Sequence, residues 1–262
     1  MSDGLLLLGA GAALMFVVMA GVWVVAVRIE NAGIVDIVWS LNFSLLALLY
    51  AALGPGFLPR RVLIGTMVAL WSLRLGGYLY ARVMGHHPVE DGRYQQLRQE
   101  WAPRVNARFF WFFELQAALN VILSLPVLVA CLNPAPSLHP LEIAGLGLWA
   151  IALTGESVAD RQLDRFRKDL RNKGRTCQVG LWRYSRHPNY FFEWLVWVAY
   201  FLFATASPGG AFTVYCPLLM LFFLFRVTGV PMTEAQALKS RGDEYREYQR
   251  TTSAFVPWFR KA

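Results

Sequence analysis

The chain has 262 residues, of which 56% are hydrophobic, 15% aromatic and only 16% charged. Soluble domains carry about 25% charged residues, so this composition excludes an ordinary water-soluble domain. The formal net charge of +8 is expected mainly in cytoplasmic loops; because the basic residues flank apolar runs, nucleic acid is not an expected partner.

Seven apolar runs approach the length of about 20 residues that crosses the hydrocarbon core of a bilayer. They lie at 5–27, 34–53, 62–83, 109–132, 138–158, 190–206 and 211–230. The first run lacks a basic segment before it and an A-x-A site after it, so it is predicted to be a spanning helix rather than a signal peptide. The sequence therefore predicts an all-α polytopic membrane protein with about seven transmembrane helices, forming one membrane domain over residues 1–262.

The loops predict the orientation of these helices. The segment 160–186 holds nine Lys or Arg and three Asp, a net charge of +6. With seven spans it shares one side of the membrane with segment 82–108 and the C-terminal tail, which places the N-terminus outside and the C-terminus in the cytoplasm. Arg60 and Arg61 lie on the other side and are the exception.

The three cysteines, Cys131, Cys177 and Cys216, show no C-x-x-C pairing and no histidine at metal-binding spacing. The sequence therefore predicts neither a disulfide framework nor a metal site.

Ionisable and polar residues inside the predicted spans are the first candidates for function, because they are costly in a bilayer. The second span holds Asp36 and Trp39, the third Arg74 followed by Tyr78 and Tyr80, and the fourth Glu114. Two structural interpretations of Asp36 stay open beside a catalytic or ligand-binding one. It could form an ion pair with Arg74, or it could lie near the membrane interface in contact with water.

A charged helix is predicted to continue the fifth span without interruption. One face of it carries Glu156, Asp160, Asp164, Arg167 and Arg171. Such a stripe is typical of a solvated face bound to anionic lipid. It could also meet the hydroxyls and phosphates of one elongated ligand, because an arginine fork can bond two phosphate oxygens.

The loop from Gly180 to Trp194 contains Tyr184, Arg186, His187, Asn189 and Glu193. Pro188 suits the first turn of the next helix. Separately these residues could serve as interface anchors and a helix cap. Together they predict an anion-binding mouth at a helix N-terminus beside a strongly basic loop.

At this loop the chain resembles the steroid 5-alpha-reductase family, in its bacterial DUF1295-type branch, and the resemblance covers nearly the whole chain. The motifs that carry it are Asp36-x-x-Trp39, Leu70-Trp71-x-Leu73-Arg74-Leu75, Glu90-Asp91-x-Arg93-Tyr94, Gly155-Glu156-x-x-Ala159-Asp160-x-Gln162-Leu163-x-x-Phe166, the segment from Gly180 to Glu193, Glu234, Arg241-Gly242-x-x-Tyr245-x-x-Tyr248 and Phe255-x-Pro257-Trp258. The string Arg-His-Pro-Asn-Tyr alone is also similar to strings in isoprenylcysteine and phospholipid methyltransferases.

The resemblance implies a multi-pass protein of the bacterial inner membrane that binds NADPH from the cytosolic side. Such a protein would reduce a carbon–carbon double bond conjugated to a carbonyl in a steroid-like or other lipid substrate. The resemblance implies contact with membrane lipids and no protein partner. The cofactor-binding half is expected at about 138–262. Its implied cofactor residues are Glu156, Asp160, Arg167, Arg171, Tyr184, Arg186, His187, Asn189, Glu193, Arg226, Glu234 and Tyr245. No G-x-G-x-x-G follows a strand, so the cofactor is expected between helices.

For catalysis, the resemblance places Asp36 where the steroid enzymes have a glutamate that meets the substrate carbonyl. Their partner tyrosine aligns with Leu75, so Tyr78 and Tyr80 are the nearby candidates, and Trp39, Arg74 and Glu114 are expected at the substrate. A carboxyl buried among helices can stay protonated, so we expect Asp36 to donate a hydrogen bond to the carbonyl oxygen.

Two other classes of function stay open. The first is a membrane methyltransferase that uses S-adenosylmethionine, because it shares the Arg186-His187-Pro188-x-Tyr190 string. The second is a lipid-binding or scaffold protein without enzymatic activity.

Overall fold

The computed structural model describes residues 2–227 and 229–260, and every regular element within them is helical. The α-helices are α1 (Ser2–Arg28), α2 (Ile34–Leu53), α3 (Leu58–Met84), α4 (Gly92–Trp101), α5 (Val105–Leu123), α6 (Leu125–Leu132), α7 (Pro140–Lys168), α8 (Pro188–Ala204), α9 (Tyr215–Phe222), α10 (Val230–Arg241) and α11 (Asp243–Thr251). Short 3₁₀ turns lie at Leu170–Asn172, Gly180–Arg183 and Gly210–Val214, and a π-helical segment, Phe223–Val227, follows α9. The all-α class is confirmed.

Six stretches of the described residues are helical, long and apolar enough to cross a membrane. They are Asp3–Arg28, Ile34–Leu53, Leu58–Met84, Val105–Leu132, Pro140–Lys168 and Gly210–Arg241. Each overlaps one of the predicted runs. The remaining run, 190–206, corresponds to α8, which has 17 residues and is shorter than the other six. These six candidate spans indicate an integral membrane protein, whereas the count of seven and the orientation stay predictions.

The chain forms two compact units, and the first comprises the residues up to Leu138 together with Ala206–Gly210. In this unit α2 packs along α3, and α1 packs along α5. The contact between α2 and α3 depends on Gly76, because a Cβ at that position would lie only 2.6 Å from the side chain of Leu41. A glycine here lets two apolar helices approach closely.

The two arginines that break the predicted charge distribution both bind backbone carbonyls. Arg60 is 1% exposed, and its guanidinium donates to the carbonyls of Asn133, Ala135 and Ser137 over 2.9, 2.9 and 2.6 Å. Arg61 donates Nη1 to the carbonyl of Ala51, near the end of α2, over 2.7 Å. Arg61 thus bonds one of the last carbonyls of α2, which have no partner within the helix, and Arg60 bonds carbonyls of the segment after α6. Both arginines therefore have a local structural role that does not depend on membrane orientation.

The second unit comprises His139–Thr205 and the chain from Ala211 onward. Its central pair, α7 and α8, is antiparallel: Gly145 lies against Ala199 and Phe203, and Gly155 lies against Phe192. A Cβ at Gly155 would lie 2.4 Å from the Phe192 ring, so glycine is needed for this contact. The unit begins beside the predicted start of the cofactor-binding half at 138, and the assignment of a single reductase domain stays a prediction.

The predicted charged stripe is wrong at its outer end. Helix α7 ends at Lys168, so Arg171 does not continue the face that carries Glu156, Asp160, Asp164 and Arg167. The carboxylate of Asp169 accepts from the backbone N–H of Arg171 over 3.0 Å and from its Nη2 over 2.8 Å. An aspartate that bonds the chain two residues further on competes with helix formation, and a 3₁₀ turn follows.

Candidate functional site

In the first unit, the structure surrounds Asp36 with hydrogen-bond donors from the segment after α3. Arg93 donates Nη2 to both carboxylate oxygens over 3.0 and 2.9 Å. The Tyr94 hydroxyl donates to Oδ1 over 2.8 Å, and Nη2 of Arg82 lies 3.6 Å from Oδ2. We call Asp36, Arg82, Arg93 and Tyr94 the Asp36 cluster. Both oxygens of Asp36 act as acceptors in it.

The electrostatics of the Asp36 cluster keep its two donors protonated. Burial raises the pKa of Tyr94 well above its ordinary value, and the negative charge of Asp36 raises it further. Burial acts to lower the pKa of Arg93, but the charge of Asp36 opposes this, and the net shift is upward. The Arg93 guanidinium also lies 4.5 Å from the centre of the Tyr94 ring, a favourable cation–π distance. The cluster therefore holds a fixed cation and a fixed phenol proton.

Helix α4 positions these donors. The side chain of Asp91 caps the helix by accepting from the Arg93 N–H over 2.9 Å. Glu90 is 7% exposed and accepts from the Ala32 N–H, in the turn between α1 and α2, over 2.6 Å. Arg98 on α4 bonds both oxygens of the same carboxylate. Two acid–arginine pairs therefore tie α4 to the start of α2.

The cluster is partly open, because the Asp36 side chain is 21% exposed and that of Arg93 is 29% exposed. The partial exposure of Asp36 agrees with the interpretation that places it near the membrane interface. The cation closest to its carboxylate is Arg93, at 2.9 Å, whereas the other interpretation named Arg74. Tyr94 is fully buried. The Arg82 side chain is 45% exposed, so a ligand would reach Arg82, Arg93 and Asp36 before Tyr94.

The other residues predicted in this unit are less closely tied to Asp36. Trp39 packs edge-on against Phe43, with ring centres 5.0 Å apart, and its carbonyl accepts from Asn120 over 3.0 Å. Tyr80 is 58% exposed; Arg74, Tyr78 and Glu114 are half-buried. The catalytic roles of Tyr78 and Tyr80 and the substrate roles of Trp39, Arg74 and Glu114 stay predictions.

In the second unit, four of the predicted cofactor residues meet where α7 and α8 pack together. Glu156 and Asp160 are 3% and 8% exposed. Asn189 donates Nδ2 to Asp160 over 3.2 Å, and Glu193 accepts from the Trp197 ring N–H over 3.0 Å. The buried Oδ1 of Asn189 has no hydrogen-bond partner among the described residues. This group presents acceptors, which suit the hydroxyl and amide donors of a nucleotide cofactor.

A separate network ties the string at Arg186 to α10 and α11. Arg186 donates Nε to Glu234 over 2.7 Å and Nη1 to the carbonyls of Gln249 and Thr252 over 2.7 and 2.8 Å. His187 Nε2 lies 3.2 Å from Glu234, and Gln249 donates Nε2 to the other Glu234 oxygen over 2.8 Å. We call Arg186, His187, Glu234 and Gln249 the Arg186 network. Its charges are already paired.

The remaining predicted cofactor residues of this unit divide by exposure. Arg167, Arg171, Tyr184 and Arg226 are exposed, and Arg226 lies in the π-helical segment, a distortion that is frequent at functional sites. Tyr245 is 4% exposed. Burial raises its pKa, and the charge of Glu234 adds to that effect, so its phenol proton is firmly held.

Sequence reasoning missed Arg93 and Tyr94 as partners of Asp36, and Gln249 as a partner of Glu234. A signal for the first two was present, because both belong to the motif Glu90-Asp91-x-Arg93-Tyr94 that contributes to the resemblance. Helical spacing alone could not find them, since they lie 57 and 58 residues from Asp36 along the chain. Gln249 carries no comparable motif.

Comparison with known proteins supports the resemblance. The family described as "Protein of unknown function (DUF1295)" matches residues 22–252. A relative from Schizosaccharomyces pombe, "Uncharacterized protein C594.04c", is 30% identical over 223 residues, covering 75% of this chain and 64% of the relative. The chain therefore spans less than two thirds of that relative's length. No solved structure matches the chain. From the match over most of its length, the chain belongs to the DUF1295 family.

Proposed function

We propose that the protein is an NADPH-dependent membrane oxidoreductase acting on CH–CH groups, which reduces a double bond conjugated to a carbonyl in a steroid-like or other lipid substrate. Membership of the DUF1295 family supports this, because the motifs of the chain resemble those of steroid 5-alpha-reductases. The observation that carries the proposal is the Asp36 cluster, in which Arg93 and Tyr94 donate to one carboxylate at the start of a candidate membrane span.

The chemistry of the proposed reaction requires donors at the substrate carbonyl. NADPH, when bound, supplies the hydride, and negative charge then develops on the carbonyl oxygen of the substrate. Fixed donors aimed at that oxygen are worth about 2.7–4 kcal/mol each. In our proposal Arg93, whose side chain is 29% exposed, stabilises this charge, and Tyr94 and Asp36 hold the guanidinium in place.

Phenylalanine substitutions test the proposal. In the purified protein, NADPH should be consumed only when an enone lipid such as a 3-oxo-4-ene steroid is added. Tyr94→Phe should lower kcat, and Tyr80→Phe, at a position 58% exposed, tests the competing prediction that Tyr80 is the catalytic tyrosine. If Tyr80→Phe lowered kcat and Tyr94→Phe did not, Tyr80 would be the partner of Asp36. If NADPH were consumed with none of the enones tested, that result would argue against the reductase itself.

For the cofactor, we propose that the acceptors on α7 and α8 and the exposed guanidinium of Arg167 bind NADPH. Arg167→Gln and Asn189→Ala should raise the apparent Kd of NADPH more than they lower the maximal rate. Arg165→Gln is the control, since this arginine is also exposed and near the end of α7. Equal NADPH affinity in all three variants would contradict the placement.

Ligand-dependent melting separates the reductase from a methyltransferase. A ligand at 100 times its Kd stabilises the folded state by about 2.7 kcal/mol. NADPH should raise the melting temperature and S-adenosylmethionine should not. Stabilisation by S-adenosylmethionine alone would favour the methyltransferase.

We also propose that α8 is a seventh span of a protein in the bacterial inner membrane, with the N-terminus outside and the C-terminus in the cytoplasm. An odd number of spans places the two termini on opposite sides, and six spans would place them on the same side. Fusions to alkaline phosphatase, which is active outside, and to green fluorescent protein, which fluoresces inside, at each terminus distinguish the two topologies.

A further inference from the structure

The last part of the described chain presents an apolar surface next to the start of α8. Val256, Trp258 and Phe259 are 52%, 68% and 75% exposed, and Arg260 follows them. We call these four residues the tail surface. Exposed apolar side chains that form a continuous patch indicate a binding surface, whereas single exposed ones are common on any protein.

The tail surface is held in a fixed position. The Arg186 N–H donates to the Ser253 carbonyl over 2.9 Å, and the Trp258 N–H donates to the Tyr184 carbonyl over 2.9 Å. Phe255, which lies between these two bonded residues along the chain, is 7% exposed. The centre of its ring lies 5.0 Å from that of Phe225. The segment is therefore anchored by one buried ring while its neighbours face outward.

The packing of α7 on α8 shows where this segment lies along a candidate membrane span. The N-terminus of α8 lies beside Asp160 of α7, since Asn189 bonds that carboxylate. On α7, residues 143–155 are uncharged, Glu156 and Asp160 are buried, and the exposed charged side chains begin at Arg161. Ionisable side chains within a spanning helix face the protein interior, so exposed charges begin where the helix leaves the hydrocarbon. The segment bonded to Tyr184 and Arg186 therefore lies at the membrane boundary.

We propose that the tail surface inserts into the headgroup region of the membrane and binds anionic phospholipid there. Trp and other aromatic side chains favour this region because it accommodates both a ring and a polar edge. The proposal concerns membrane contact and does not depend on the proposed reductase activity.

The charges around the tail surface fit an anionic headgroup. A cleft of about 430 Å³ beside it is lined by Arg186, Arg250, Trp258 and Phe259 and has no carboxylate among its described lining residues. Arg186 is paired with Glu234, and Arg250 forms only an exposed pair with Glu247. Arg260 donates to the side chains of Thr252 and Gln178. Both partners are uncharged, so the positive charge of Arg260 can attract a lipid phosphate.

Site-specific labelling of the full chain in vesicles tests the proposal. The native cysteines are 0–6% exposed, so a dye on Phe259→Cys should report one position. The control is Asp243→Cys on α11, where the native side chain is 93% exposed. In phosphatidylcholine–phosphatidylglycerol vesicles, lipids with a spin label near the headgroup should quench the dye at 259, and iodide in the buffer should not. At 243 we expect the reverse.

Equal quenching by iodide at 259 and 243 would overturn the proposal and would indicate a surface for water or a soluble partner. The anionic preference is tested with phosphatidylcholine alone, where the lipid quenching at 259 should decrease. Arg260→Gln should remove the difference between the two vesicle types. If both vesicle types gave the same quenching with and without Arg260, the phospholipid charge would have no role and this half of the proposal would fail.

Discussion

Replacing Glu234 with glutamine tests whether the Arg186 network holds the second unit together. Glu234 accepts from Arg186, from Gln249 and at His187, so its carboxylate joins α10 to the segment before α8 and to α11. Glutamine keeps the shape and one acceptor oxygen but removes the charge. Arg186 would then remain mostly buried, with a side-chain exposure of 11%, without its counter-charge.

The expected loss of stability follows from the burial of the pair. Removing one charge of a fully buried ion pair costs about 3–5 kcal/mol. Glu234 and Arg186 retain 15% and 11% exposure, and glutamine can still accept from Arg186 Nε. We therefore expect Glu234→Gln to lower the free energy of unfolding by about 2–3 kcal/mol.

Thermal melting in detergent or nanodiscs measures the effect, with Glu247→Gln as the matched control. Glu247 pairs with Arg250 on the surface of α11, where the side chains are 56% and 77% exposed, and such pairs are worth about 0–1 kcal/mol. A melting temperature for Glu234→Gln equal to that of Glu247→Gln would refute the structural role of the network. A normal melting temperature with weakened NADPH binding would instead make Glu234 a cofactor residue, as the resemblance implies.

Three further predictions follow from the packing and charge of the two units. Gly155→Ala should destabilise the chain by about 1–3 kcal/mol, because the added methyl group would meet the Phe192 ring. Gly147→Ala on the same helix is the control: a Cβ there would have no atom within 4 Å, so the change should be neutral or stabilising by up to about 1 kcal/mol. Melting of the two variants checks this difference. Arg60→Met should cost about 3–5 kcal/mol in melting experiments, since three carbonyls lose their donor and each buried acceptor left unsatisfied costs about 1–3 kcal/mol. The pKa of Tyr94 is raised above 10.0, so its contribution to stability is present below about pH 10 and is lost as the pH rises toward the folded-state pKa; Tyr94→Phe should lack this alkaline loss in pH-dependent melts.

The membrane helices could be predicted because a run of about 20 apolar residues has few alternatives to crossing a bilayer. The end of α7 could not. It depends on Asp169, whose side chain bonds the backbone of Arg171, and such competition between side chain and helix has no hydropathy signal. Helix α8, by contrast, begins and ends within two residues of the predicted run 190–206, because Pro188 suits the first turn of a helix; its membrane crossing stays a prediction.

The site could be predicted as a set of residues but not as a set of contacts. Helical spacing shows which side chains share a face, but it does not show which segments meet. Asp36 was considered with Arg74 of the third span, yet its hydrogen-bond donors, Arg93 and Tyr94, come from α4, outside the predicted spans. Its neighbour on the third span is Arg82. Similarly, Arg186 and Asn189 were predicted to line one mouth, and the structure pairs the first with Glu234 and the second with Asp160.

The observed partners of Asp36 change what its substitution should do. If Asp36 donated from a neutral carboxyl, Asp36→Asn would keep a donor and retain more activity than Asp36→Ala. In the Asp36 cluster, however, an asparagine amide would oppose the Arg93 and Tyr94 donors and would remove the negative charge that holds Arg93. We therefore expect both variants to lose kcat to a similar extent, by about 10²–10³-fold as for the loss of one oxyanion-hole donor, with unchanged NADPH affinity. Near-normal kcat for Asp36→Asn alone would restore the role of a hydrogen-bond donor at this position.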